Sequence, residues 1–399
     1  MKKWNLRIVD YKFLYTIHIG VLYLLGKSIP LMGVQMDSLF SRKQEMQSIF
    51  LQSVSGDLNR SSVLALGISP YMLAGIIIGV VAACKRADEK AKISPKRMNR
   101  YLLGITLIFA FIMALFRVNG LEFTVTEAAL IWCKIVVVFE LVAGAMLILW
   151  LADRNKQYGI GGQSALIFMN VLEGIMSNLF KASVKELILP ILLSVFAMFV
   201  TIIMENSEKR IVVQRVSIHN IYADKNYIAI KLNPIGVMPA MFGTAFFMIP
   251  QMLVGILARL FPHQDKVLWL QENITVEKPL GLILYFVLLY VLTIVFSIVF
   301  ISPRDMTDNL LKTGDCIPGL HAGEDTKRYL KRTLVRLGFL SATVMSICLG
   351  IPMILRAQGL INGSLAMLPT SIMMLTGITG NLYEEIISLR SLDAYKPFI

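Results

Sequence analysis

Ten apolar segments set the limits on this chain, near residues 13–33, 70–84, 101–116, 128–151, 164–180, 187–204, 235–257, 281–301, 337–355 and 364–388. About 20 apolar residues suffice for a helix to cross the hydrocarbon core of a bilayer, where lipid offers the backbone no hydrogen-bond partner. The pattern predicts an all-α integral membrane protein with ten transmembrane helices. Length alone would allow two soluble domains. Charged residues decide against that, at 16% of the chain where soluble domains carry about a quarter.

The charge that remains is unevenly placed. With the N-terminus inside, 26 of the 39 Lys and Arg residues fall on the inner side, 10 on the outer side, and Lys27, Lys134 and Arg336 within spans. That is the positive-inside bias of a multi-pass protein, with both termini cytoplasmic. It accounts for the net charge of +13 without a nucleic-acid partner. The basic, apolar N-terminus has no small-x-small cleavage site after it and reads as a retained first helix.

The ten segments divide into five and five near Lys181–Glu186, and the halves share punctuation. Gly67-Ile-Ser-Pro-Tyr-Met and Gly236-Val-Met-Pro-Ala-Met have the same Gly-aliphatic-x-Pro-x-Met spacing, and each opens the second segment of its half. Paired Gly/Pro interruptions of this kind point to the working site of an inverted-repeat membrane protein, though a Pro-kinked helix is the plainer account of either alone. The expected units are 1–184 and 185–399. Between the first two spans, Val34–Leu66 is too polar to cross unaided and suits a short re-entrant helix on the outer side.

Two inner loops are far longer than a helix connection needs. Residues 205–234 carry Lys209, Arg210, Arg215, Lys225 and Lys231, and the alternation of Tyr227-Ile-Ala-Ile-Lys suggests a strand. Residues 302–332 hold a short helix near Asp305–Lys312 and a turn-rich tip from Gly314. Such loops either carry inner charge alone or dock a cytosolic partner, and their length favours docking.

Catalytic and cofactor motifs are missing from the sequence. Gly26-Lys27-Ser28 resembles the tail of a P-loop, but Val21 stands where the first glycine is needed. His18, His219, His263 and His321 are isolated, and Cys84, Cys133, Cys316 and Cys348 form no Cys-x-x-Cys pair. The expectation is a protein that is not an enzyme and holds neither cofactor nor metal. Intramembrane charges are functional candidates by default. Lys27 and Lys134 lie toward span ends and are expected to snorkel. Glu140 and Glu173 lie deeper, and serve either an ion pathway in a secondary transporter or a structural pairing with Lys134 or a neighbour. Many of the 22 methionines fall mid-span, where they fill gaps or form an adaptable apolar constriction.

Six ordered stretches resemble the SecY family of protein-conducting channels over nearly the whole chain. They are Tyr23-Leu-Leu-Gly-Lys-Ser-Ile-Pro-Leu-Met-Gly-Val, Ser62-Val-Leu-Ala-Leu-Gly-Ile-Ser-Pro-Tyr-Met, Trp150-Leu-Ala-Asp with Tyr158-Gly-Ile-Gly-Gly-Gln-Ser, Lys209-Arg-Ile-Val-Val-Gln, Lys231-Leu-Asn-Pro-Ile-Gly-Val-Met-Pro-Ala-Met-Phe, and Cys316-Ile-Pro-Gly-Leu-His-Ala-Gly-Glu-Asp-Thr with Tyr329-Leu. The resemblance implies a clamshell of two five-helix halves with a re-entrant plug at about 50–64, including Phe50, Ser53, Gly56, Leu58 and Leu64. It implies a pore ring of Ile68, Met72, Ile167, Val171, Met241 and Met374, with Met238 as a further candidate. A lateral gate would lie between the second and seventh helices at Pro70, Tyr71, Met238 and Pro239.

It also implies partners: a cytosolic SecA-like ATPase docking at Lys209, Arg210, Arg215, His321, Lys327 and Arg328, SecE-like and other small membrane subunits, unfolded polypeptide as substrate, and the lipid of the plasma membrane. Departures fall where the motor would dock. His321 stands for the family's Arg, Ala322 for the Pro after it, and Val212 for another Pro, while Leu24 replaces an Arg in the first span. That pattern is most similar to the accessory SecY of Gram-positive bacteria, which serves dedicated, often glycosylated, serine-rich surface proteins. A general housekeeping SecY, or a ten-helix transporter using Glu140 and Glu173, are the alternatives.

Overall fold

The computed structural model describes residues 8–34, 62–84, 94–118, 121, 123–124, 127–215, 226–261, 264–275, 278–363 and 365–395. The described chain is mostly helical. Its helices are α1 (Ile8–Lys27), α2 (Ser69–Cys84), α3 (Pro95–Val118), α4 (Glu127–Tyr158), α5 (Gly162–Lys181), α6 (Val184–Asn206), α7 (Met238–Leu260), α8 (Asp265–Asn273), α9 (Pro279–Ile301), α10 (Pro303–Thr313), α11 (Glu324–Ala357) and α12 (Leu368–Tyr395). Short strands β1 (Glu208–Val212), β2 (Gln214–Arg215) and β3 (Tyr227–Lys231) lie between α6 and α7, and β4 (Asp315–Cys316) follows α10.

Among the described residues, six helical stretches are long and apolar enough to cross a membrane: Lys96–Val118, Ala129–Tyr158, Lys185–Asn206, Pro279–Thr313, Glu324–Arg356 and Leu365–Ser391. The other expected spans also fold as helices, α1, α2, α5 and α7. With 16 residues, α2 is short for a full crossing. Large apolar side chains are exposed along α3, α6 and α9, including Phe111, Phe199 and Val287. In water such faces would be costly; in lipid they are at home.

Helix boundaries differ from the sequence expectation where local chemistry intervenes. The first span, expected at 13–33, is a helix over Ile8–Lys27. Pro30 ends it, since the residue before a proline is pushed out of the helical region, and Pro30 instead bridges Ser62. The segment expected at 337–355 begins at Glu324, so much of the expected loop 302–332 is helix, from α10 and the first turns of α11. Ser302 adopts a left-handed backbone, and its side chain accepts from the Asp305 N–H. Gly314, also left-handed, closes α10.

The main apolar core gathers side chains from α1, α2, α4, α5, α7, α9, α11 and α12. A second cluster joins Leu31, Ala65 and Leu66 to α3 and α4. A third joins Ile211, Ile230 and Ile317 of the two long loops to Leu330, Leu334 and Leu337 of α11 and is described below.

Candidate functional site

The segment before α2 is irregular, as its glycine and serine content predicts. Ser62 pairs with Pro30, the Val63 N–H donates to the Ile29 carbonyl at 3.1 Å, and tight turns run from Ser62 to Gly67. Leu64 lies on Gly26 of α1, and the Val63 carbonyl lies on Gly144 of α4. A side chain at either glycine would occupy that space. Pro70 sits in the first turn of α2, so the proline that looked like a break opens the helix, where it is well tolerated. Of the expected plug residues, Phe50, Ser53, Gly56 and Leu58 lie outside the described residues; Leu64 is buried.

Ile68, Met72, Ile167, Val171, Met241 and Met374 all fall in the one main cluster, each at most 6% exposed. They come from the residue before α2 and its first turn, the first half of α5, the first turn of α7 and the second turn of α12. The helix α2 packs on both α7 and α9. Pro70 and Pro239 are buried, Tyr71 is half-buried and Met238 is exposed, so the expected gate residues lie at the starts of two packed helices.

Two polar networks brace this apolar centre. Asn155 is fully buried. Its Nδ2 donates to the carbonyls of Ile160 and Gly162, at 3.0 and 2.9 Å, and its Oδ1 accepts from Thr16 Oγ1 at 3.0 Å. The Ile160 N–H donates to the same Thr16 oxygen at 2.8 Å. The Tyr158–Ser164 joint between α4 and α5 is thereby pinned to α1. Gly161 in this joint has φ 77, a conformation costly for any residue with a Cβ.

The second network corrects an expectation. Lys27 does not snorkel; it is 3% exposed, and its Nζ donates to Asn170 Oδ1 and Glu173 Oε2, both at 2.7 Å. The Tyr23 ring lies 5.5 Å away. An intramembrane ammonium is expensive unless paired, and α5 supplies the pair. The sequence singled out Lys27 and Glu173 separately; what could have joined them is that a lysine inside an apolar segment that does not reach water needs an acid. Glu140 Oε2 accepts from the Met32 N–H at 3.2 Å, and Lys134 lies 6.0 Å from the Phe123 ring. Among the described residues, no group of His, Cys, Asp or Glu could hold a metal ion.

The two long loops fold as one body. The strands β1 and β3 pair antiparallel, Glu208 opposite Lys231 through Val212 opposite Tyr227. This confirms the strand read from alternation. The strands β2 and β4 tie one loop to the other, with Gln214 opposite Cys316 and Arg215 opposite Asp315. Beneath them Ile211, Ile230, Ile317, Leu330, Leu334 and Leu337 form a core of their own. Lys209, Arg210, His321 and Arg328 are exposed on this body. Arg210 stacks over Tyr227 at 4.8 Å, the His321 carbonyl accepts from Thr326 Oγ1 at 2.9 Å, and Lys327 pairs with Glu324 at 3.1 Å. A basic outer face on a core that the loops share with the start of α11 can bind a partner without unfolding the bundle.

Comparison with known proteins agrees with this geometry. The chain is similar to the accessory Sec system protein translocase subunit SecY2 of Leuconostoc gelidum, 27% identical over 410 residues, covering 98% of this chain and 97% of that one. The subunit of the same name from Streptococcus agalactiae is 27% identical, covering 97% and 95%. That of Streptococcus sanguinis is 26% identical, covering both chains fully. A solved protein-conducting channel superposes with a TM-score of 0.67 at 17% identity, over 98% of this chain and 95% of that one. Sec61 from the canine ribosome–channel complex of the endoplasmic reticulum gives 0.61 at 16%, over 98% and 95%. The profile of the SecY family matches residues 62–383, and the chain belongs to the SecY family.

Proposed function

We propose that this protein is the channel subunit of an accessory Sec translocase in the plasma membrane. It passes unfolded polypeptide outward while a cytosolic SecA-like ATPase supplies the energy. The observation that carries the reading is the meeting of Ile68, Met72, Ile167, Val171, Met241 and Met374 in one buried apolar cluster, beside an irregular segment at 62–68. An apolar constriction sheds water and so blocks ions at rest, and unbranched methionine can reshape around varied cargo.

Ten spanning helices in two halves, 1–184 and 185–399, complete the proposal, with a plug at about 50–64 and both termini cytoplasmic. An inserting signal helix that binds the parted state of α2 and α7 better than the closed one shifts the gate toward opening. SecE-like and other small membrane subunits would cover part of the lipid-facing surface, and the motor would dock on the loop body at Lys209, Arg210, Arg215, His321, Lys327 and Arg328. Similarity to SecY2 subunits favours the accessory type and a dedicated cargo of glycosylated, serine-rich surface proteins. The transporter reading loses ground because Glu173 is engaged by Lys27.

Cross-linking from cysteines placed at Arg210 and His321 in native membranes tests the proposal. Recovery of a dedicated SecA-like ATPase supports both the channel and its subtype. Recovery of the general SecA keeps the channel and removes the subtype. Recovery of no ATPase at either position overturns the docking assignment.

A further inference from the structure

One stretch of α12, Gly377–Glu385, touches three parts of the molecule that the channel reading requires to move. Gly377 lies against Val237, the residue before Met238 and Pro239 at the start of α7, and Glu205 of α6 lies against both Gly377 and Gly380. About a turn and a half past Gly377, Leu382 lies against Gly161. Glu385 Oε2 accepts from the Gly161 N–H at 2.9 Å. The neighbouring Glu384 Oε1 pairs with Lys231 Nζ, at the end of β3, at 2.6 Å. Two adjacent carboxylates thus reach in two directions, one to the loop body and one to the amide end of α5.

Each arm has a physical reason to hold. The first amides of a helix lack intrahelical partners and present partial positive charge, which a carboxylate satisfies. Gly161, left-handed and without a Cβ, lets α12 approach closely enough for that bond. Lys231 ends the strand that carries the loop-body core, so its ion pair links that body to the same helical turn of α12. Both carboxylates are exposed, so neither pays a burial cost and both can exchange partners readily.

We propose that Glu384 and Glu385 are positioning residues that clasp the loop body and α5 to α12 in the resting channel, and that the clasp parts when the channel opens. This rests on the channel reading above. Since α5 carries Ile167 and Val171, a pull on the loop body through Lys231 is felt at the helix that supplies two of the proposed ring residues. A surface pair alone is weak; two on one turn act together because fixing the turn serves both.

The test is single-channel recording of the full chain in planar bilayers, without motor or substrate. Wild type is compared with Glu384→Gln/Glu385→Gln, and a ring variant, Met72→Asn, serves as the opened reference. The double variant is expected to raise the resting open fraction about fivefold, as the loss of one modest interaction would. The exchange Lys231→Glu with Glu384→Lys should return the Glu384 arm toward wild type, whereas Lys231→Glu alone should not. Rescue by that exchange reports the Lys231–Glu384 pair itself rather than either side chain alone. If Met72→Asn conducts while the double variant stays at the wild-type open fraction, the clasp is overturned and the channel stands. If the exchange is no quieter than Lys231→Glu alone, the Glu384 arm is overturned. If Met72→Asn itself does not conduct, the channel reading fails and the clasp with it.

Discussion

Lys27 Nζ and Glu173 Oε2 lie 2.7 Å apart, with the lysine side chain 2% exposed and the carboxylate 26%. They join α1 to α5 two residues past Val171, and Asn170 Oδ1 accepts a second bond from the same ammonium. Removing one member of a buried pair leaves the other uncompensated, which costs more than removing both. Lys27→Met should therefore cost up to about 3 kcal/mol, the partial exposure of Glu173 holding it to the low end of the range for buried pairs. Lys27→Met with Glu173→Gln should recover most of the loss. Thermal unfolding in nanodiscs checks both; equal Tm values for the single and double variants would show that the pair is not coupled.

Asn155 makes a sharper case, because its amide serves two carbonyls and a hydroxyl at once. Asn155→Ala strips the donor from the carbonyls of Ile160 and Gly162, both buried residues, at about 2 kcal/mol. Asn155→Asp has nearly the same shape but turns acceptors toward those carbonyls, and should be worse. If the two variants melt together, the hydrogen bonds are not what holds the α4–α5 joint to α1.

The sequence made much of this architecture legible and hid the rest for identifiable reasons. Spanning segments declare themselves, since lipid permits little else than apolar helices, and every expected span overlies a helix of the described chain. The strand at Tyr227–Lys231 also came through, carried by period-two alternation. Pairings across the fold did not. Nothing local in Lys27 names Glu173, 146 residues away, and nothing in Glu385 names the Gly161 amide. The extent of α11 was obscured for another reason: its first turns are charged, and hydropathy sees only the part that resembles lipid. The six proposed ring residues drew notice as members of motifs rather than by any property of their own, and their burial in one cluster is what a buried Ile or Met shows in any core.

Gly144 offers a test of the segment before α2. A Cβ there meets the Val63 carbonyl, a backbone atom that cannot step aside as a flexible side chain would. Gly144→Ala should displace the 62–64 turn and cost about 1–3 kcal/mol from overpacking. On the channel reading it should also raise ion leak in vesicles, since that turn leads out of the plug. Loss of stability without leak would leave the packing argument intact and separate the turn from the seal.

Leu334, fully buried in the core of the loop body, tests whether the two loops act as one unit. Leu334→Ala should cost about 2–5 kcal/mol, as for other large-to-small core changes, with the loss centred on that body. Cross-linking of an ATPase from Arg210 and from His321 should then weaken together, although the two residues come from different loops. Loss at one site alone would argue that the loops dock separately, despite β2 and β4.

Met373 and Met374 are neighbours on α12, 2% and 0% exposed, and only Met374 belongs to the proposed ring. Met373 lines a small, mostly apolar cavity with Met345 and Cys348, which the Asn233–Ser341 hydrogen bond also borders. Glutamine matches methionine in length, so either substitution tests polarity more than shape, and an amide without partners costs about 1–3 kcal/mol on mutational scales. Met373→Gln can reach toward the Asn233–Ser341 pair and should be mild. Met374→Gln places its amide in the main apolar cluster that also holds Ile68, Met72 and Val171, where admitting water would relieve it. An apolar constriction that takes up water conducts ions. Vesicles holding Met374→Gln should leak while those holding Met373→Gln remain tight. Leak from both would spread the seal over α12, and leak from neither would move the ring off this helix.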